Sequence, residues 1–230
     1  MAKFTLLQVF FAFGFSLFPH AFPGFFQGLL YCSPPLPITA VGGQIFYKRD
    51  CCSSMCKNSS SQESLACAFT GSRPMAFHFK YNENHHDCQN LKKRIALEIH
   101  VLYLDGFRTF YCGAAMGVDM WCGEIVLHLK KVYSDIKLIS VVPFIGQEKT
   151  WPKDYQERYH HLLENSDKTI ILHDKFANKH YMERNRYMVD RSDLILAVCA
   201  PGTLESRTGG TYYTVNYANK MGKDVEFVFV

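Results

Sequence analysis

The stretch Tyr111–Glu124, YCGAAMGVDMWCGE, decides the fold. An aromatic and β-branched run, Phe107 to Tyr111, breaks at Gly113 into small residues, and a helical pattern runs from Gly117 to Lys131. Val118, Trp121, Cys122, Ile125, Val126 and Leu129 fall at i, i+3, i+4, i+7, i+8 and i+11, the spacing of an amphipathic helix with one face packed on a sheet. The reading is strand, tight turn, helix. Gly113, Ala114, Ala115 and Gly117 keep side chains out of the turn, so amides at the helix start can approach an anion such as phosphate. Asp119 falls in the first helical turn, where a carboxylate suits the helix dipole; as a ligand group it would accept from a sugar hydroxyl, since beside a phosphate it would repel. The turn is neither G-x-G-x-x-G nor a Walker loop, so alone it does not name a ligand.

The same alternation continues on both sides. Leu65 to Thr70 is a short apolar strand ending in Thr70-Gly71-Ser72-Arg73-Pro74; Pro74 keeps Arg73 extended just past the strand end, placing a guanidinium for an anion or for solvent. Ala76 to Asp87, AFHFKYNENHHD, lacks a period and is expected to loop over the ligand side. Leu91, Ile95, Ile99 and Leu102 recur at helical spacing up to a Gly106 cap. Ile136 to Val142 is a strand closed by Pro143, and Thr150 with Pro152 is expected to open the next helix, through Tyr155, Tyr159 and Leu162. Lys168 to His173 is a strand. Met182 to Asp193 is a polar helix with Arg184 and Asn185 at its start, and Leu194 to Cys199 is again a strand. Gly209-Gly210-Thr211 enters a helix that ends at Gly222, a second place for amides to hold an anion, and Asp224 to Val230 closes the sheet. Strand alternating with helix five times calls for an α/β fold: a parallel sheet with helices on both faces and a ligand crevice at the carboxyl ends of the strands.

Residues 1–64 differ in kind from residues 65–230. FTLLQVFFAFGFSLF, after Lys3, is an apolar run of signal-peptide length but short for a membrane span, and Pro19, Pro23, Gly24 and Gly28 interrupt its continuation. It reads either as a secretory or anchoring segment, the one route to a membrane, or as a spurious extension from an upstream start, with Met55 an alternative; a Pro- and Ser-rich passage without periodicity follows and is expected to be disordered. The net charge of +4 divides evenly between residues 1–64 and the rest, so no basic face is implied and nucleic acid is disfavoured as a partner. Nine cysteines, several in strand or helix-face positions, fit free thiols in a reducing cytoplasm. Cys51, Cys52 and Cys56 lack C-x-x-C spacing, and of Glu83, His85, His86 and Cys88 the adjacent histidines on a loop rarely both ligate while Cys88 opens a helix, so no metal site is assigned.

From Leu65 to Val230 the chain resembles the YpsA-like branch of the SLOG superfamily, whose Rossmann-like fold is shared by DprA-type DNA-processing proteins and LOG phosphoribohydrolases. The resemblance rests on TGSRP at Thr70, YNENHHDC at Tyr81, GAAMGVDMWCGE at Gly113, RNRYMVDRSDLILAV at Arg184 and GGTYYTVNYA at Gly209, in that order. The family usually has His where Ser72 stands and GMALGVD where GAAMGVD stands.

The resemblance implies a small nucleotide-derived ligand of the ADP-ribose, NAD or nucleoside-phosphate class, bound by a sensor or binding domain. Gly71, Ser72, Arg73, Gly113, Ala114, Gly117, Asp119, Pro143, Arg184, Asn185, Gly209, Gly210 and Thr211 are the binding candidates, with Trp121 supporting the turn. Two alternatives are a LOG-like hydrolase of nucleoside monophosphates and a DprA-like DNA-associated or cell-division interaction protein. The LOG glutamate falls at Thr214 here, which leaves Glu124 as the one catalytic candidate. A homo-oligomer stays open.

Overall fold

The structure, a computed structural model, describes residues 64–229. The expectations for the apolar and Cys-rich N-terminal segment lie outside the described residues.

Six parallel strands form one sheet: β1 Leu65–Gly71, β2 Phe107–Cys112, β3 Lys137–Val142, β4 Lys168–Ile171, β5 Leu194–Cys199 and β6 Asp224–Phe229, in the order β4-β3-β2-β1-β5-β6. Five helices connect them: α1 His86–Leu104, α2 Val118–Lys130, α3 Lys153–Asn165, α4 Asn178–Asp190 and α5 Gly209–Lys220. This is the α/β, Rossmann-like fold with helices on both faces. Strand alternation sorts the two cores. Cys67 and Phe69 of β1 join Leu196 and Val198 of β5 in the layer with Leu91, Trp121, Leu129 and Leu162 of α1–α3. Ala68 and Ile195, one residue out of phase, meet Met188, Val189 and Ala218 of α4 and α5. Every residue of β5 is therefore buried, as a central parallel strand requires.

The chain order reverses at β1: strands β2 to β4 extend on one side, β5 and β6 on the other. Between diverging connections the carboxyl ends of β1 and β5 leave a crevice, the usual ligand position in open α/β sheets.

Several local expectations are corrected. Helix α4 starts at Asn178, behind an extended Ala177, so Arg184 lies in its second turn, buried, and not at an exposed start. The N-cap of α3 is Pro152, without a side-chain bond, and not Thr150. Strand β4 ends at Ile171, the last residue paired with β3. The segment 76–87 does not lie over the crevice as a whole: Phe77 and Phe79 are buried against Trp121, and of this segment Ala76 alone lines it.

Candidate functional site

A cavity of about 500 Å³ opens at the reversal of strand order. Its walls are the β1 end from Phe69 to Arg73, Ala115 and Met116 ahead of α2, Asp119, Arg184 and Asn185, the β5–α5 loop, and the first residues of α5. Of the candidate residues, Gly71, Ser72, Arg73, Asp119, Arg184, Asn185, Gly209, Gly210 and Thr211 are brought together here. Gly113, Ala114, Gly117, Trp121, Pro143 and Glu124 are not among its lining residues.

The turn after β2 is filled by the protein itself. The Arg184 guanidinium donates from Nη1 to the Gly113 carbonyl, and a Cβ at Gly113 would collide with it. Gln147 Nε2 reaches the Ala114 carbonyl at 3.4 Å, and the Ala114 amide bonds the buried Cys112 thiol at 3.3 Å. Ala114 itself sits at φ 49°, a conformation a non-glycine residue rarely adopts. Gly117, at φ 93°, precedes α2, and a Cβ there would press on the Pro74 ring at 2.8 Å. These glycines let segments of the chain approach one another.

The start of α5 is different. Thr208 makes no side-chain cap, and a Cβ at Gly209 would meet nothing within 4 Å. Gly209, Gly210 and Thr211 line the cavity, so the first amides of a twelve-residue helix and the positive end of its dipole are presented to the space inside.

A polar relay joins the two turns. Asp119, 8% exposed, lies 3.5 Å from Arg184, which is 4% exposed. Arg184 Nε donates to Asn185 Oδ1 at 2.9 Å, Asn185 Nδ2 donates to Thr214 Oγ1 at 2.8 Å, and the Thr214 hydroxyl donates to the Gly210 carbonyl at 2.8 Å. Burial pushes the Asp119 carboxyl up, opposed by the charges of Arg184 and Arg73. Burial likewise pushes the Arg184 guanidinium down, opposed by Asp119. Arg73 is exposed, with a 3.5 Å contact to the Met116 carbonyl, and is the cavity's solvent-facing cation. Ser72 is buried; its hydroxyl accepts the Ala200 amide at 3.0 Å and meets the Thr203 hydroxyl at 2.9 Å, stitching the β1 end to the loop after β5.

Glu124 belongs elsewhere. Arg158 holds it through two bonds of 2.7 and 2.9 Å and also donates to Glu83 at 2.8 and 3.3 Å. Glu83 further accepts from Trp121 Nε1 at 2.9 Å, from the Tyr155 hydroxyl at 3.1 Å and from Lys92. Burial alone would push the Glu83 carboxyl up, but the bonds from Arg158, Lys92 and Trp121 outweigh it and hold it at about 2. Trp121 supports this cluster from below, beside Phe77 and Phe79.

Sequence reasoning did not single out Thr203, Ser206 and Thr208 as cavity residues; the small polar run after β5 was their one signal. It also did not find Arg158, because a residue 75 positions from Glu83 and 34 from Glu124 leaves no local pattern.

Sheet order and crevice define a Rossmann-like α/β domain with its cavity at the switch point. A family model described as the YspA SLOG family (YpsA) matches residues 67–229, and the chain belongs to this family. Among similar proteins are a UPF0398 protein of Bacillus thuringiensis (strain Al Hakam) and one of Bacillus cereus (strain B4264). Each is 27% identical over 158 residues, covering 68% of this chain and 83% of the relative. Membership fits a nucleotide-related function in coarse terms. Among the described residues no helix is long and apolar enough to cross a membrane.

Proposed function

We propose that the crevice binds a phosphate-bearing nucleotide derivative of the ADP-ribose, NAD or nucleoside-phosphate class, as a sensing or binding domain. The observation that carries this reading is the uncapped N-terminus of α5 facing a cavity of about 500 Å³ at the switch point, with Arg73 at its rim. The Gly209 to Thr211 amides and Arg73 hold phosphate; charge-assisted bonds of this kind suit a site that offers several N–H donors and one exposed guanidinium. Asp119 accepts from a ribose hydroxyl while Arg184 neutralises it, which keeps the carboxylate compatible with a nearby anion.

A hydrolase on nucleoside monophosphates is less well supported. Asp119 is the acidic residue among those lining the cavity, Thr214 stands where a LOG glutamate would, and Glu124 is tied to Arg158. DNA binding gains no support either, since stacking platforms along a basic groove are what single strands require. Five free, buried cysteines among the described residues support a reducing, cytoplasmic setting.

The test is thermal-shift titration of the full chain with ADP-ribose, NAD and AMP. A saturable rise in melting temperature with at least one of them, lost in Asp119→Ala, is expected. No response to any nucleotide overturns the reading.

A further inference from the structure

Away from the polar relay, the start of α4 carries a second cluster. His173, two residues past β4, is anchored where its carbonyl accepts the Ile145 amide at 3.1 Å. Its Nε2 lies 2.7 Å from Glu183 Oε2, and its ring stacks on that of His180, with centroids 3.6 Å apart and planes 12° from parallel. His180 and Glu183 are i, i+3 on α4 and so share one helix face. One donor atom from each of the three lies within 4.8 Å of the others, and all three are half-buried.

We propose that His173, His180 and Glu183 form a binding site for a divalent transition-metal cation of the Zn(II) class. His180 Nδ1 is 3.0 Å from the Lys175 carbonyl, which can only accept, so Nδ1 carries the proton and Nε2 keeps its lone pair. A backbone carbonyl fixing the far nitrogen of an imidazole is the usual outer support of a metal-bound histidine. Two imidazoles and one carboxylate suit zinc and its neighbours, whereas calcium and magnesium prefer oxygen. Tetrahedral ligands at about 2.0–2.1 Å stand roughly 3.3 Å apart. The His173–Glu183 pair therefore has to open and the two stacked imidazoles to turn out of their near-parallel arrangement, so that both lone pairs converge on one ion; rotation about the side-chain torsions of these half-buried residues accomplishes this. Three protein ligands leave the fourth position to water or a fourth donor.

The site has a structural consequence. Helix α4 begins without a side-chain cap, and Arg184 directly follows Glu183. A cation bridging His173 to His180 and Glu183 straps the connection after β4 onto this uncapped turn and stiffens the helix that presents Arg184 to the cavity. The positive end of the α4 dipole and Lys179, 3.5 Å from Glu183, oppose the cation, so binding is reversible, not permanent. This departs from the sequence reading, in which no motif spacing marked these residues.

The test uses the full chain, freed of metal with EDTA and titrated with Zn(II) against a chromogenic chelator and with Co(II) by absorption. Cobalt at this site gives ligand-field bands without the thiolate charge-transfer band that cysteine ligation would show. The expected result is a site whose zinc affinity falls by about tenfold or more in His180→Ala and in Glu183→Gln. Zn(II) should also raise the melting temperature of the parent and not of either variant. Should His180→Ala melt early in EDTA, Glu183→Gln, which preserves side-chain size, carries the test. Zinc affinity and stoichiometry unchanged in Glu183→Gln overturn the site, as does cobalt binding that shows thiolate ligation alone.

Discussion

The two glycine-bearing turns look alike in sequence and differ in what fills them. At Gly113 the missing side chain makes room for the Arg184 guanidinium, and at Gly117 for the Pro74 ring. At Gly209 it makes room for nothing in the protein. The first turn spends its backbone groups on internal partners, since Gly113 and Ala114 accept from Arg184 and Gln147. The second presents a helix start to the cavity. A glycine before a helix therefore marks either close approach, as at Gly113, or a left-handed backbone that a side chain would strain, as at Gly209 with φ 85°, and only the first says that something fills the space.

The comparison breaks most severely if Arg184 is removed. In Arg184→Met, Asp119 stays buried without its counter-charge, a type of loss that runs to about 3–5 kcal/mol. Protonation relieves part of it. Because burial raises the folded-state pKa of Asp119 above 3.8, stability attached to this group is greatest at low pH and falls as pH rises through the raised value. Denaturant unfolding at pH 5 and pH 8 should thus show a larger deficit of the variant at pH 8; equal deficits would mean that Asp119 does not depend on Arg184. Gly113→Ala should cost about 2–3 kcal/mol by overpacking the same guanidinium, read as a fall in melting temperature of roughly 2–4 °C per kcal/mol for a domain of this size.

Much of this architecture was legible. Apolar and aromatic runs place β1, β2 and β5, and the 3.6 periodicity places α1 and α2, within a residue or two, because each buries one face or both against a neighbour. The burial of Arg184 left no trace in the sequence because its partners, Gly113 and Asp119, are 71 and 65 residues away, and one of three arginines in MERNRYMVDRSD looks like any solvated helix residue. The start of α4 was misplaced for a related reason: Ala177 gives no capping side chain, so the sequence carried no start signal. Sequence could show that Gly113 and Gly209 each precede a helix; it could not show which turn a long side chain from another helix would enter.

Away from either turn, Glu83 gives a control on how the protein treats a carboxylate that is fully satisfied. Asp119 has Arg184 at 3.5 Å and the charge of Arg73, whereas Glu83 accepts from Arg158, Lys92, Trp121 and Tyr155. Its folded-state pKa of about 2 lies below the ordinary 4.5, so its contribution is complete above 4.5 and is lost as pH falls from there toward 2. That contribution is roughly 2–3 kcal/mol. Glu83→Gln should destabilise the domain by this amount at neutral pH, and the deficit should shrink as pH falls below 4.5 and close only below about 2 in acid-unfolding curves. Parallel curves would show that the surrounding cations do not favour the ionised form.

The smallest effect on stability should accompany the clearest effect on binding. Gly210 has no positive φ, and the atom nearest a Cβ added there is Asn185 Nδ2 at 3.9 Å, so the methyl group of Gly210→Ala fits without displacing anything. Surface substitutions of this kind stay within about 0.5 kcal/mol. The same methyl projects beside amides that, in the proposed reading, must come within hydrogen-bond reach of a phosphate, and it should weaken the nucleotide that shifts the parent by about tenfold, or about 1.4 kcal/mol. Gly113→Ala separates the two properties in the opposite sense, lowering the melting temperature before any ligand is added. If Gly210→Ala leaves the ligand-induced shift intact over the whole titration, the start of α5 is not where the phosphate sits, and the openness of that turn is a matter of packing alone.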